Sequence, residues 1–424
     1  MVKSFLNEQN MSNIFNCTGY KMADIEIVHA KDSYLYDTQN KQYIDFESGI
    51  WCTALGHNHP IINQTIQKQL KLISHIGYRY TTIALEEAAE QLLITTLFSD
   101  GKCVFLSSGS EAVEFGVQVI RRITGTPILL TLSDSYLGAY GSAGRKSHDE
   151  WYCFDWAICK TCPHQENCNP QCIYLKEIPT EKIGGFVFEP GNSSGLIKFP
   201  PAKLIENIVR LTRENNGLIL VNEVTTGLGR TGLWYGYEHY NVQPDLIAMG
   251  KGLGNGYPVS AIAMKSEITD QLEKIGFCYA QSHQDDPMGC TIVKEVIRTI
   301  REEHLVERSK NVGKYFLHKL NKLCDQHNVI KEVRGRGLMI AVEFNNDPNI
   351  LLDSVFHQLL KRGFIIGFKP VASLFRFYPP LTINEKDIDL FIENFNDILQ
   401  EIKYKQGVTR SHRPGCGLPL NLMQ

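Results

Sequence analysis

A lysine set among glycines offers the strongest chemistry in this chain. Lys251 stands in Met249-Gly250-Lys251-Gly252-Leu253-Gly254-Asn255-Gly256-Tyr257-Pro258, directly after the apolar residues Leu246, Ile247 and Ala248. That is a poor position for an ordinary solvated charge. Glycines let a backbone approach a ligand closely and adopt positive φ. A lysine amine drawn out of water loses its proton more readily and can form a Schiff base with an aldehyde. A lysine that only closes a strand beside a glycine turn is the alternative, and the surrounding segments decide between them.

A second segment runs Leu218-Ile219-Leu220-Val221-Asn222-Glu223-Val224-Thr225-Thr226-Gly227-Leu228-Gly229-Arg230-Thr231-Gly232. Its first four residues read as a buried strand and its glycines as the loop beyond that strand's carboxyl end, where open α/β sheets bind ligands. Together the two segments resemble the class III, ω-type aminotransferases, which use pyridoxal 5′-phosphate (PLP). The resemblance extends over nearly the whole chain. It implies PLP fold type I: an α/β large domain with a mostly parallel sheet flanked by helices, and a smaller α+β domain built from both chain ends. It also implies that Lys251 carries the cofactor as a Schiff base, and that the enzyme is a homodimer with shared active sites.

The same resemblance extends to other residues. Ser107-Ser108-Gly109-Ser110-Glu111-Ala112 joins a strand to a helix with Val113, Val117 and Ile120 on one face. The free amides at such a helix start bind phosphate well, so Ser108, Gly109 and Ser110 are expected to form a phosphate cup, although a plain serine N-cap looks the same. Ser282 matches a family threonine that reaches the partner subunit's phosphate. Tyr136 matches the aromatic residue that stacks on the pyridine ring, and Glu189 belongs to the cofactor-binding set. Arg376, between Phe375 and Phe377, matches the arginine that binds the substrate carboxylate through its planar fork. Trp51 joins it on the substrate side. Asp45, Trp51, Gly56, His57 and Pro60 resemble the family's block at the site entrance. His57 and His59 are not followed by a third ligand, so no metal is expected there.

Three departures qualify the match. Asn222 replaces the family aspartate that pairs with the pyridine nitrogen. An aspartate keeps that nitrogen protonated, whereas a neutral asparagine can only donate a hydrogen bond to it. Thr225 replaces a glutamine near the ring's phenolic oxygen. Ser194 stands where many relatives have a glutamate that masks the substrate arginine. Transamination between an amino acid or amine and a 2-oxo acid remains the first reading. A PLP-dependent lyase or epimerase acting on an amino acid is the alternative, because a weaker electron sink favours elimination or reprotonation at Cα.

Five of the 12 cysteines fall between Cys153 and Cys172. Cys159, Cys162, Cys168 and Cys172 are spaced x2, x5 and x3, with Pro163, Asn169 and Pro170 turning the chain between them. A cytoplasmic protein keeps thiols reduced, so a metal is expected in place of disulfides. Four thiolates suit zinc or an iron–sulfur cluster, with His164 a possible substitute ligand, and the spacing is similar to cluster-binding stretches in auxiliary domains of radical enzymes. Reduced structural cysteines in an insertion are the competing reading.

The elements that must position these groups read as alternating strands and helices. Apolar runs at 104–106, 128–132, 186–188, 218–221 and 246–249 predict strands, and 202–214, 287–301 and 311–324 predict helices. Residues 333–343 look like the opening strand of a separate small domain. The expected organisation is an N-terminal segment (1–60) contributing to the small domain, a large PLP-binding domain (61–300) with the cysteine-rich insertion 153–172, and a C-terminal small domain (301–424). Residues 1–16 are polar and read as a mobile lead-in. The chain's 424 residues, 43% hydrophobic and 21% charged with net charge −3, suffice for a sizeable core. The near-neutral balance gives no electrostatic case for nucleic acid or an anionic membrane. No stretch spans a bilayer and no secretory signal opens the sequence, so a cytoplasmic enzyme of small molecules is expected.

Overall fold

The computed structural model describes residues 13–19, 23–164, 167–345 and 352–411. Most of the polar lead-in expected over 1–16 lies outside the described residues. In chain order the strands are β1 (Ile27–Lys31), β2 (Tyr34–Asp37), β3 (Gln42–Asp45), β4 (Lys102–Leu106), β5 (Ile128–Leu132), β6 (Trp151–Phe154), β7 (Ile183–Phe188) and β8 (Leu218–Asn222). They continue as β9 (Leu246–Met249), β10 (Ser260–Met264), β11 (Ile330–Arg336), β12 (Met339–Phe344), β13 (Phe364–Ile365), β14 (Gly367–Lys369) and β15 (Leu374–Phe377).

The central sheet has the order β4-β10-β9-β8-β7-β5-β6. β10 is antiparallel to both neighbours, and the remaining pairs are parallel. Six strands therefore present their carboxyl ends along one edge. Side chains alternate between the two faces of a strand, and here both faces are covered. Leu129, Leu220 and Ala248 pack with Val113, Val117 and Ile120 of the helix Gly109–Thr124. Their neighbours Leu130, Ile219, Val221 and Ile247 pack with Leu204, Ile205 and Ile208 of the helix Ala202–Glu214 on the other side. Burial on both faces explains why these strands read as continuous apolar runs.

Two four-stranded sheets flank this layer, ordered β1-β2-β3-β13 and β11-β12-β15-β14. β13 lies parallel to β3, so the first of them takes a strand from late in the chain. Phe46, just after β3, sits 4.9 Å from the Phe391 ring and 6.0 Å from Phe377, which fixes the chain ends to each other. The single strand expected over 333–343 is instead a hairpin. Arg336 pairs with Met339, and Gly337 turns the chain with φ +54°. A Cβ there would lie 2.5 Å from the Thr231 carbonyl carbon, so both the turn and the close approach require glycine. Among the described residues no helix is long and apolar enough to cross a membrane.

Candidate active site

The carboxyl edge of the central sheet gathers the residues singled out above. Ser108 follows β4, Tyr136 follows β5, Glu189 follows β7, Asn222 ends β8 and Lys251 follows β9. Lys251 opens a tight turn (Lys251–Gly254) with φ +47°, a left-handed conformation that costs a non-glycine residue about 1–3 kcal/mol. Burial lowers the pKa of its amine below the ordinary lysine range, with Cys52 and Glu189 opposing the shift. Its Nζ lies 5.3 Å from the centre of the Trp51 ring, and the Arg376 guanidinium carbon lies 4.9 Å from the same ring. Trp51 stacks on Tyr378 at 4.5 Å. The amine and the guanidinium are thus both seated against one indole.

Ser108 caps the helix Gly109–Thr124: its Oγ accepts the Glu111 N–H at 3.2 Å, and the Glu111 carboxylate accepts the Ser107 N–H at 3.0 Å. The plain N-cap reading is therefore correct for the Ser108 side chain. It leaves the first-turn amides of Gly109 and Ser110 at the positive end of a 16-residue helix. A Cβ on Gly109 would lie 2.6 Å from Val224 Cγ1, and one on Gly250 would lie 3.2 Å from Gly109 Cα. The loops after β4, β8 and β9 close on each other there with no room for side chains. Ser110 Oγ accepts the Ala139 N–H at 3.0 Å, tying the cup to the Tyr136 loop. Tyr136 itself is 43% exposed, and Ser282 is exposed in the loop ahead of the helix Pro287–Glu302.

Asn222 is held at both ends. Its Nδ2 donates to Glu189 Oε1 at 2.9 Å and its Oδ1 accepts the Val224 N–H at 3.1 Å. Glu189 is fully enclosed and also accepts the N–H groups of Tyr136, Leu137 and Ser193. Burial raises its pKa, and those backbone donors oppose the rise. Thr225 Oγ1 lies 2.7 Å from Ser193 Oγ. The neighbouring Glu223 accepts from Thr226, Gly236 and Tyr237, so it braces the loop; burial pushes its carboxyl up to about 7.

Arg376, on β15, is buried and donates from Nε to Glu47 Oε1 at 2.7 Å. Two glycines make space for it: a Cβ on Gly195 would meet its Nη1 at 2.3 Å, and one on Gly367 would meet Glu47 Oε1 at 2.0 Å. Ser194, at the position of the family's masking glutamate, turns its hydroxyl to Asn192 and accepts Lys369 Nζ on its carbonyl at 2.6 Å. The arginine is masked after all, by an acid from the opposite end of the chain. Glu47 was not found in the sequence, although an acid between Asp45 and Trp51 in a block already assigned to the entrance was a usable signal.

Glu47 is aimed by an uncommon element. Ser48, Gly49, Ile50 and Trp51 all have φ between +47° and +71°, forming one turn of left-handed helix. Asp45 accepts the N–H groups of Glu47 at 2.7 Å and Gly49 at 3.0 Å, and contacts His57 Nε2 at 2.7 Å. Ser48 Oγ donates to the Tyr378 carbonyl at 2.5 Å, binding the turn to the end of β15. Asp45 and His57 thus hold the turn that presents Trp51 and Glu47. The four insertion cysteines line a different cavity, beside the helix Ala202–Glu214.

These groups fit PLP. A glycine-walled cup of amides suits its phosphate, a partly buried amine suits its aldehyde, and an amide fixed at both ends suits its ring nitrogen. The class III aminotransferase family model matches residues 16–399. An acetylornithine aminotransferase from Methanocaldococcus jannaschii is 28% identical over 396 residues, covering 91% of this chain and 96% of the relative. A leucine/methionine racemase from Thermococcus litoralis is also 28% identical, over 409 residues covering 90% and 92%. A solved Bacillus anthracis aminotransferase shares the fold with a TM-score of 0.83 at 24% identity, covering 91% of this chain and 96% of that one. The fold is the type I arrangement, and the chain belongs to the class III, PLP-dependent aminotransferases.

Proposed function

We propose that the protein moves an amino group between an amino acid or amine and a 2-oxo acid, through a Schiff base on Lys251. The observation that carries this reading is the placement of Lys251 and Arg376 against one indole, Trp51, beyond the carboxyl ends of the sheet. When bound, PLP supplies the aldehyde that receives the amine and a ring that withdraws electrons from the substrate's Cα. Lys251 would hold it, and its Nζ, once free, would take up the substrate's Cα proton and carry it to the carbon on the far side of the transferred nitrogen. Burial lowers the pKa of that amine, which favours the neutral form that accepts a proton. Gly109 and Ser110 bind the phosphate, and Tyr136 covers the ring. Arg376 receives the substrate carboxylate when Glu47 yields. In a homodimer, Ser282 of each copy would complete the phosphate site of the other.

Asn222 supports a second reading. Of its two Nδ2 hydrogens one goes to Glu189, leaving the other for an unprotonated ring nitrogen. That favours return of the proton to Cα, the chemistry of an epimerase, and one relative is named a leucine/methionine racemase. Two experiments test the pair of readings. Borohydride reduction followed by peptide mapping should place PLP on Lys251, and Lys251→Ala should lose the visible absorption of lysine-bound cofactor; retention of that absorption would sink both. Incubation with single amino acids in heavy water then separates them. Stoichiometric pyridoxamine phosphate indicates transfer, whereas Cα exchange without it indicates epimerisation.

A further inference from the structure

The cysteine-rich insertion forms a site that the PLP chemistry does not use. We propose that Cys159, Cys162, Cys168 and Cys172 hold a four-iron, four-sulfide cluster. All four are free thiols, and all four line one cavity of about 420 Å³. Its other walls include the apolar residues Phe154, Leu175, Pro201 and Leu204, with Tyr174, Thr161 and Asn169 also lining it. His164 lines the same cavity.

The sulfur arrangement chooses between the two inorganic groups that four thiolates suit. Zinc at 2.3 Å from four tetrahedral thiolates draws the sulfurs to about 3.8 Å from one another and leaves no space between them. Here, among the described residues, the four cysteines form no set of three ligand atoms within 4.8 Å of one another, although all four line one cavity. In a cubane each thiolate binds its own iron at a separate corner, so the sulfurs stand farther apart around a body of appreciable size. The x2, x5 and x3 spacing brings the four thiols to this common cavity by way of two turns of 3₁₀ helix (Trp156–Thr161) and a short helix (Ile173–Lys176).

The surrounding contacts give the cluster a positioning role. Asn207, on the helix Ala202–Glu214, donates to the Cys168 carbonyl at 3.0 Å. Trp156 Nε1 donates to Asp134 Oδ1 at 2.8 Å, and Asn192 donates to the Asp134 carbonyl. Asp134 lies in the loop that carries Tyr136. The insertion is therefore tied to the ring-covering loop through Asp134.

The test uses the full chain purified and reconstituted without oxygen. About four irons and four acid-labile sulfides per chain, with the Mössbauer signature of a cubane, are expected. Zinc without sulfide, a two-iron cluster, or four freely titrating thiols after reconstitution would each overturn the proposal. Cys162→Ser and Cys168→Ser should lose iron and sulfide together while borohydride still fixes PLP to Lys251, which separates this outcome from any failure of the PLP assignment. Because a serine variant can fail to fold, the metal and sulfide content of the unsubstituted protein is the deciding measurement.

Discussion

If Arg376 receives the substrate carboxylate as proposed, Glu47 competes with it for the same guanidinium. Burial raises the Glu47 pKa, and the adjacent Arg376 opposes that rise. A substrate carboxylate that takes over Arg376 removes the opposing influence, so Glu47 then gains a proton. Carboxylate binding is therefore linked to proton uptake and weakens as pH rises. Glu47→Gln should abolish that pH dependence and lower KM for the 2-oxo acid about tenfold, equivalent to roughly 1.4 kcal/mol, as read from initial rates across a pH series. It should also lower the melting temperature of the cofactor-free protein, since it replaces a buried ion pair by a neutral contact. A KM that rises in this variant would show that Glu47 helps to bind substrate. At Asn222 the expected change is electronic. Asn222→Asp restores an acid beside the ring nitrogen and should increase the yield of pyridoxamine phosphate per turnover with an amino acid. The Asn222 departure was visible in the sequence because it interrupts a local motif. The Glu47–Arg376 pair was not, because its members stand 329 residues apart.

The elements were legible where burial on both faces imposes an apolar run, and five of the central strands were read for that reason. β6 was hidden inside the cysteine-rich stretch, and β10 beyond the glycines of the lysine loop. The left-handed turn over Ser48–Trp51 was beyond sequence reasoning altogether, since only Gly49 in it is a glycine. L-residues lose roughly 1–2 kcal/mol each in that conformation. Tertiary bonds to Asp45, Ser48 and Tyr378 hold them there, and strain of this kind persists where a site requires it. Ile50 is 57% exposed and has φ +58°, so its side chain contributes little packing. Ile50→Gly should raise stability by about 1 kcal/mol, measured as a higher urea midpoint with unchanged slope. Asp45→Ala should do the opposite by about 1–3 kcal/mol, because it strands two backbone donors. It should also raise KM for carboxylate substrates by releasing Trp51 and Glu47. Equal stability in both variants would remove the case for a strained turn.

At the scale of the whole molecule, Arg230 helps to join the sheet that carries Lys251 to the sheet that carries Arg376. Arg230 is buried in the loop beyond β8, and its Nη1 donates to the carbonyls of Leu338 at 3.2 Å and Pro379 at 2.6 Å. Its own carbonyl accepts the Leu338 N–H at 3.0 Å and the Ser309 hydroxyl at 3.1 Å. Leu338 lies in the β11–β12 turn and Pro379 just past β15, so this side chain ties the two sheets together, alongside Arg334 of β11, which donates to the Ile197 and Leu196 carbonyls beyond β7. The motif containing Arg230 was legible as a loop, but its partners, 108 and 149 residues away, were not. Arg230→Ala strands two buried carbonyls and should cost about 3 kcal/mol, read from the urea midpoint. The cup, Asn222 and Lys251 all belong to the central sheet, so PLP content per chain should remain near that of the parent. The catalytic effect should be confined to Arg376, which moves with the smaller sheet: kcat/KM for carboxylate substrates falls, while an amine donor that makes no use of Arg376 is affected less. A parallel loss for both donors, or loss of PLP, would mean that Arg230 supports the cofactor cup and not the spacing between the sheets.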